Sequence, residues 1–360
     1  MRHESKILKA MMVGVLGGLI ASPLFAVEVI TKDDIVNKVV TKDQLTKVAD
    51  NAIFLLDTSS SANEKFPGTD KTIVQVMKEE LKTRNEYFPD LGHTFGIYKY
   101  TGWQELYAPA PYNREKVDSA LDMIPDKGSG TTPLDSGLAK IEPVLKSLTG
   151  RTAVFVFWDG EYTGHNPADT AKRLAGQSDV CFYVVSSAKE KREAKLEKDV
   201  ASLNSCSRVI PLVAFFEKPV YTSGVLYDVK RTEAVETTTE KKLAGLKVDD
   251  INFATNETKL SDKDKGELDQ VADFMSKNAT AYAVVAGYTD NVGSRDHNEG
   301  LSHKRADMVG DYLKSKGVTD ARMVKFWYGP NNPKVPNDTP ENQATNRRVE
   351  VAVGLGSTAS

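Results

Sequence analysis

The stretch Gly287-Tyr288-Thr289-Asp290-Asn291 lies between an apolar run, Ala281 to Ala286, and a long helical pattern. The apolar run is typical of a buried strand. A short loop that contains glycine and a carboxylate follows that strand. The sequence therefore predicts a strand, a turn and a helix, with Asp290 at the strand end.

The helix after this turn is predicted to begin near His297, because Asp296 and Glu299 resemble a capping box. Its apolar face is formed by Leu301, Met308, Val309, Tyr312 and Leu313. Arg305 falls in the middle of that face, where an unpaired charge would be very costly. Asp290 is the nearest candidate acceptor. The two side chains could pair, or could hold a zwitterion, the arginine taking a carboxylate and the aspartate an ammonium.

Several separated motifs resemble the OmpA-like peptidoglycan-binding domain, over residues 246–354. They are Asn252-Phe253-Ala254, the stretch quoted above, Asn298, Leu301-Ser302, Arg305-Ala306 and Asn346-Arg347-Arg348-Val349-Glu350. The resemblance implies that Asp290 and Arg305 hold the diaminopimelate of the cell-wall peptide. It also assigns Thr289, Asn298 and Arg347 to this site. A salt bridge without a ligand is the alternative for the first pair, and a solvated sheet edge is the alternative for Arg347 and Arg348.

Length and charge fit an ordinary globular protein with two domains. The chain has 360 residues, a net charge of −3, 40% hydrophobic residues and 27% charged residues. There is no basic excess that would indicate nucleic acid as a partner. Two cysteines and five histidines form no zinc-type cluster.

The first residues resemble an export signal. Basic side chains precede the apolar run from Met11 to Ile20, and a pattern of small residues ends at Ala26. This predicts a signal peptide over residues 1–26, with a retained membrane anchor as the alternative. Residues 27–50 are interpreted as a helical lead-in.

Residues 51–216 alternate apolar runs with helical patterns. Strands are predicted at Ala52–Leu56, Thr94–Tyr100, Thr152–Trp158, Val180–Val185 and Arg208–Phe215. This alternation predicts a doubly wound, mostly parallel, Rossmann-like α/β sheet. The C-terminal part is predicted to be a smaller α/β domain of βαβαββ order. Ligands of doubly wound sheets bind at the carboxyl ends of the strands.

Oxygen-bearing side chains follow two of these strands. They are Asp57, Ser59 and Ser61 in a D-x-S-x-S motif, Thr132 in a later loop, and Asp159. Carboxylates and hydroxyls suit a hard divalent cation, Mg²⁺, Mn²⁺ or Ca²⁺. The set resembles the metal-ion-dependent adhesion site of the von Willebrand factor A (vWA) domain. That resemblance implies a partner protein that completes the metal shell with an acidic side chain. The alternative is that the hydroxyls only cap the loop.

Catalysis is not predicted. His93 and His165 lie in no triad-like motif, and the chain has no Walker or dinucleotide glycine loop. We therefore expect no small-molecule substrate, with a metal-dependent hydrolase as the alternative. Cys181 and Cys206 are predicted to form a disulfide in an exported chain, with two buried thiols as the alternative.

Residues 217–245 are interpreted as a Thr/Glu-rich linker, although Tyr221 to Val229 could be a short strand, and residues 355–360 as a tail. About 30 linker residues could span up to ~100 Å, so the domains could lie far apart. The sequence predicts a non-catalytic protein of the periplasm, associated with the cell wall and with the outer membrane as a further candidate location. It would bind peptidoglycan and a protein. The alternative is an inner-membrane-anchored, stator-like protein.

Overall fold

The computed structural model describes residues 45–188, 191–217, 220–229, 248–331 and 333–355. The predicted signal peptide, most of the lead-in, the second half of the linker and the tail beyond residue 355 lie outside these residues. Among the helices in the described ranges, none is long and apolar enough to span a membrane.

The first domain is built on a six-stranded sheet. The strands of this sheet are β2 (Asn51–Leu56), β3 (Thr94–Lys99), β4 (Gln104–Pro111), β5 (Thr152–Trp158), β6 (Val180–Ser186) and β7 (Arg208–Pro211). Two further strands, β1 (Leu45–Lys47) and β8 (Tyr227–Val229), form a separate two-stranded sheet. The helices of the domain are α1 (Ile73–Tyr87), α2 (Arg114–Asp122), α3 (Leu134–Ser147), α4 (Pro167–Ala175), α5 (Lys191–Ala201), α6 (Leu212–Glu217) and α7 (Val220–Leu226). The order of the six-stranded sheet is β4-β3-β2-β5-β6-β7.

The central strands are parallel and buried on both faces, as the continuous apolar runs predict. Every residue of β2 and of β5 is buried. Leu55 and Val154 belong to a core under α3, α4 and α5, whereas Phe54 and Phe155 stack in the core on the opposite face. The doubly wound, mostly parallel fold class is confirmed.

Two parts of this sheet differ from the prediction. Strand β4 was not predicted, and it pairs antiparallel with β3 at the sheet edge. The predicted strand at Arg208–Phe215 ends at Pro211, and its apolar second half forms α6. A short apolar run fits a buried strand and a buried helix equally well, so its pattern does not distinguish them.

The lead-in and linker boundaries need correction. Leu45–Lys47 is a strand that pairs antiparallel with Tyr227–Val229, rather than the end of a helix. The first part of the predicted linker contains the last residue of α6 and forms α7 and β8. Arg84 in α1 donates to the Thr222 hydroxyl over 2.7 Å, and His93 Nε2 lies 3.0 Å from the Leu226 carbonyl oxygen. Tertiary contacts of this kind give structure to a segment whose composition alone resembles a linker.

The second domain is a smaller mixed sheet of order β11-β10-β12-β9. Its strands are β9 (Ile251–Asn252), β10 (Ala281–Gly287), β11 (Met323–Trp327) and β12 (Arg348–Leu355). Its helices are α8 (Asp262–Lys277), α9 (Arg295–Ser315) and α10 (Pro340–Asn346). Ser261 caps α8 as predicted. Helix α10 lies in the predicted polar loop before β12, where Thr339 caps it and Pro340 occupies the first turn.

A disulfide joins Cys181 in β6 to Cys206, just before β7. The two Cα atoms are 5.4 Å apart. Because β6 and β7 are neighbours in the sheet, the bridge ties the turn before β7 to the centre of the domain.

Candidate functional site

Gly287 allows β10 and α9 to approach closely. A Cβ atom at this position would lie 2.2 Å from the carbonyl oxygen of Ser302, far inside contact distance. The chain beyond the strand is then held on both sides, since the Tyr288 N–H donates to Arg348 O and the Thr289 N–H to Gly329 O, each over 2.8 Å. The strand end is therefore fixed against the helix that carries Arg305.

Helix α9 begins earlier than predicted. Its N-cap is Ser294, whose hydroxyl accepts a hydrogen bond from the His297 N–H. The predicted capping box of Asp296 and Glu299 is wrong, because the Glu299 carboxylate is directed to Arg151 and Ser205 of the first domain instead. A local motif could not reveal that competing contact.

Arg305 is completely buried, as its place on the apolar face predicts. Its guanidinium donates to three backbone carbonyls, those of Glu257 (3.0 Å), Tyr288 (3.1 Å) and Ala254 (3.1 Å). Burial lowers the pKa of Arg305 to about 10, with Arg347 acting in the same direction and Asp290 against it. The side chain is therefore charged at neutral pH, and these contacts use three of its five N–H donors.

Asp290 does not form its direct ion pair with Arg305. Its Oδ2 lies 2.9 Å from Nη1 of Arg347, and its Oδ1 accepts from the Val292 N–H over 3.1 Å. Arg347 also donates to the Phe253 carbonyl. Asp290 is still close enough to Arg305 to influence its pKa. The structure thus brings one carboxylate and two guanidinium groups together at the end of β10.

The solvated-edge interpretation of the two neighbouring arginines is wrong. The Arg347 side chain is only 13% exposed and pairs with Asp290. Arg348 has no exposed surface, pairs with Glu350, and lies 3.9 Å over the Tyr288 ring. Arg347 ends α10 and faces the loop of Asp290, whereas Arg348 begins β12 and is buried in the domain.

Thr289 and Asn298 hold the loop of the site. The Thr289 hydroxyl donates to the Asp290 carbonyl over 2.8 Å, and the Asn298 amide donates to the Val292 carbonyl over 3.1 Å. Both side chains are almost fully buried. Their contacts position the loop that carries Asp290, which the sequence motif alone could not distinguish from direct ligand contact.

The oxygen-rich motif after β2 folds back on itself. The Ser59 N–H donates to Asp57 Oδ1 over 2.8 Å, and the Ser59 and Ser61 hydroxyls lie 2.8 Å apart. A Cβ atom at Gly128 would lie 2.0 Å from the Ser59 carbonyl oxygen, and the Ser60 N–H donates to Gly130 O. Glycine therefore lets the loop that leads to Thr132 pack directly on this motif.

The same loop is tied to the segment after β5. The carbonyl of buried Thr132 accepts from the Thr163 N–H over 2.9 Å, and Asp159 Oδ1 accepts from the Glu161 N–H over 3.0 Å. The structure thus brings the three predicted segments together at the carboxyl end of the sheet. A cleft of about 220 Å³ at this edge has Asp57, Ser61 and Asp159 among its lining residues.

The electrostatics of this edge fit a cation. Burial raises the pKa of Asp57 to about 6, and the charge of Asp159 acts in the same direction against the Ser59 N–H. Burial and the same two carboxylates also raise the pKa of the Tyr100 hydroxyl. Within the described ranges, neither Asp57 nor Asp159 forms a salt bridge. Two close carboxylates beside three hydroxyls are a suitable donor set for a hard divalent cation.

Clusters of three or more His, Cys, Asp or Glu side chains arranged for a metal are absent from the described part of the chain. The predicted set has only two carboxylates, so it is not a cluster of that kind. His93 is fully buried before β3, with its ring against Leu226, far from the serine motif at the other end of β2.

Sequence reasoning missed the carbonyl acceptors of Arg305, since a backbone carbonyl carries no residue-type signal.

Comparisons with known proteins match two separate parts of the chain, which correspond to the two domains of the structure. Residues 51–211 match the von Willebrand factor type A domain, and residues 252–347 match the OmpA family. Over 103 residues the chain is 40% identical to the peptidoglycan-binding protein ArfA of Mycobacterium tuberculosis. The aligned stretch covers 29% of this chain and 32% of ArfA. Over 104 residues it is 35% identical to outer membrane porin F of Pseudomonas fluorescens, with the same coverage.

Among solved structures, the C-terminal domain of Helicobacter pylori MotB is 27% identical, with a TM-score of 0.28. That match covers 31% of this chain and 87% of the MotB domain. The chain spans about a third of the length of the curated relatives named above. By its two domain matches, the chain carries a von Willebrand factor type A domain followed by an OmpA domain.

Proposed function

We propose that this chain is a non-catalytic protein of the cell envelope that binds peptidoglycan through its OmpA-like domain. The observation that carries the proposal is the charge arrangement at the end of β10. There a buried arginine with two N–H donors beyond its carbonyl contacts lies beside the Asp290–Arg347 pair. The likeness to ArfA, which is named for peptidoglycan binding, supports the same function.

The ligand that fits this arrangement carries an ammonium and a carboxylate on one carbon, as diaminopimelate does. Arg305 would hold the carboxylate with its remaining N–H donors, and Asp290 would accept the ammonium. Arg347 would share Asp290 with the ligand, while Thr289 and Asn298 would keep the loop in place. The export signal predicted from the sequence would place the chain in the periplasm at the cell wall, and a relative named as an outer membrane porin supports an envelope location.

We further propose that the vWA-like domain holds Mg²⁺, Mn²⁺ or Ca²⁺ through Asp57, Ser59, Ser61, Thr132 and Asp159. A bound cation would offer an open coordination position to an acidic side chain of a partner protein. The residues themselves supply two negative charges and three hydroxyl oxygens. Neither carboxylate forms a salt bridge with another described residue, and the pKa of Asp57 is raised to about 6; both features support a cation at this position.

Co-sedimentation of the full chain with diaminopimelate-type peptidoglycan tests the wall site. We expect Asp290→Ala and Arg305→Ala each to weaken binding by roughly 2–5 kcal/mol, about thirtyfold to several thousandfold. Arg305→Lys should also fail, because a point charge cannot make a two-pronged contact.

Arg322→Lys is the matched control. Arg322 is likewise held by backbone carbonyls, those of Ala281, Met275 and Asn278, but at the opposite end of β10. It should lose stability and keep wall affinity. A folded wild-type chain that stays in the supernatant would contradict the proposal.

Calorimetry with Mg²⁺ or Mn²⁺ tests the metal site. Asp57→Ala should abolish binding, since it removes a ligand charge that holds a hard cation. Asp126→Ala removes an exposed carboxylate elsewhere in the domain and should leave binding unchanged. Equal affinity in wild type and Asp57→Ala would remove this assignment.

A further inference from the structure

Strand β10 is apolar on both faces, although α8 and α9 of its own domain pack on only one. All seven residues of β10 are buried. Ala281, Ala283 and Val285 share a core with α8 and α9, whereas Tyr282, Val284 and Ala286 do not belong to it. A sheet with one face in water would alternate apolar and polar residues. The sequence of β10 therefore requires a cover for its second face.

The first domain supplies that cover. The second face of the sheet is continuous with the core around α1, α6 and α7. Phe326 on β11 is fully buried there, with its ring centroid 6.5 Å from that of Tyr221. The Tyr328 hydroxyl donates to the Gly224 carbonyl over 2.9 Å. A Cβ atom at Gly224 would lie 2.6 Å from the Phe326 ring, so a glycine on α7 lets the two domains meet.

A charged network closes the edge of this contact. Glu299, with only 5% of its side chain exposed, accepts from Arg151 (2.6 Å), Arg295 (3.0 Å) and Ser205 (2.7 Å). Asp179 accepts from the same two arginines. The buried Arg151 and Glu299 are thus paired across the domain boundary, as buried charges require, and so are the half-exposed Asp179 and Arg295.

Arg208 extends the contact. Its guanidinium carbon lies 3.9 Å from the centroid of the Trp327 ring, a distance suited to a cation–π interaction. The Trp327 indole donates to the Ser205 carbonyl. Ser205 lies next to Cys206, so the disulfide holds the turn that makes these contacts.

The charged and aromatic contacts with the second domain lie at one edge of the first sheet, and the candidate metal site lies at the opposite edge. Arg151 and Asp179 immediately precede β5 and β6, and Arg208 begins β7. Asp57 and Asp159 immediately follow β2 and β5. Parallel strands place all their starts at one edge and all their ends at the other. The seven residues of β5 separate the two edges by roughly 20 Å.

We propose that the second face of the OmpA-like sheet is a docking surface whose partner is the vWA-like domain of the same chain. Docking makes the chain a rigid adaptor, with the metal edge directed away from the domain that binds the wall. The wall site and the metal site rest on the proposed function, whereas the docking itself rests only on the contacts above.

Cleavage of the folded full chain between its domains tests the docking. A protease recognition sequence is inserted between Thr238 and Thr239, and the cut protein is run on a size-exclusion column at low micromolar concentration. The two halves of the wild type should elute as one complex. Gly224→Leu, which drives a side chain into Phe326, should make them separate. Gly266→Leu is the matched control, because that helical glycine has open space around it.

A second pair of variants covers the case in which Gly224→Leu does not fold. Ser205→Glu places a carboxylate against Glu299 and should also separate the halves, whereas Ser202→Glu on the exposed turn nearby should not. Wild-type halves that elute separately would overturn the proposal, and so would one complex in both docking variants. If the halves stay together while the full chain fails to sediment with peptidoglycan, docking stands and the wall proposal falls.

Discussion

A buried arginine needs acceptors for its charge, and Arg305 takes them from backbone carbonyls rather than from a carboxylate. This leaves Asp290 to pair with Arg347 at the mouth of the site. These acceptors matter for ligand binding, because a carbonyl oxygen does not neutralise the charge of the Arg305 guanidinium. A ligand carboxylate would therefore still meet a full positive charge at Arg305.

Burial of Arg305 could be predicted from its position in the helical pattern, and so could its nearness to Asp290. Its acceptors could not be predicted, because Ala254 and Glu257 contact Arg305 through main-chain oxygens. The position of these oxygens depends on the loop after β9. In the same way, the D-x-S-x-S motif predicts the oxygen set, while the close packing of Gly128 on Ser59 depends on the completed fold.

Gly287→Ala tests the residue that brings strand and helix together. The added methyl would lie 2.2 Å from Ser302 O, so α9 must move. We expect a loss of roughly 1–3 kcal/mol in the free energy of unfolding, together with weaker peptidoglycan binding. Urea denaturation and co-sedimentation measure the two effects. Gly266→Ala, with open space around it, should be neutral or slightly stabilising. Equal stability of Gly287→Ala and wild type would show that the close approach is not needed.

At the scale of elements, long periodic segments could be predicted and short ones could not. The patterns of β2, β5, α4 and α9 identify them because each buries a face of its own. Strands β1 and β8 have three residues each and exist only as partners of one another. Helix α7 contacts Arg84 of α1 and Tyr328 of the second domain, both distant in sequence. Elements that owe their stability to distant residues leave no local pattern to recognise.

The disulfide gives the element scale its own test. Cys181 and Cys206 are 25 residues apart in sequence, and the bridge should contribute about 3 kcal/mol to stability. The double variant Cys181→Ala/Cys206→Ala should lower the urea midpoint by a corresponding amount. A reducing agent should shift the wild type to the same midpoint and leave the variant unchanged. Mass spectrometry that finds two alkylatable thiols in the oxidised, folded protein would contradict the bridge.

At the scale of the whole molecule, the length of the linker is a poor guide to the separation of the domains. About 30 residues allow ~100 Å of separation. The structure nevertheless places the second sheet against α7 of the first domain, through Gly224, Phe326 and Tyr328. The apolar second face of β10 is the sequence feature that indicates contact between the domains. Its meaning becomes clear only once α8 and α9 are known to lie on the other face.

The pH dependence of docking should report on Glu299. Burial alone would raise the pKa of this carboxyl, but the charge of Arg151, the Ser205 hydroxyl and Arg295 outweigh burial and lower the pKa below its ordinary value of 4.5. After separation of the domains, the carboxyl returns toward that ordinary value. Its contribution to docking is therefore complete above pH 4.5 and is lost as the pH falls through the lowered pKa.

We expect the cleaved wild-type halves to stay associated from neutral pH down to about 4.5 and to separate in stronger acid. Glu299→Gln leaves Arg151 and Arg295 with Asp179 as their one remaining shared carboxylate. It should weaken association at neutral pH by roughly 2–5 kcal/mol. Its remaining affinity should vary less with pH than that of the wild type. The variant removes only this carboxyl, so the difference between the two profiles isolates Glu299. Sedimentation velocity across this pH range measures both profiles, and parallel profiles would mean that the buried carboxylate does not hold the domains together.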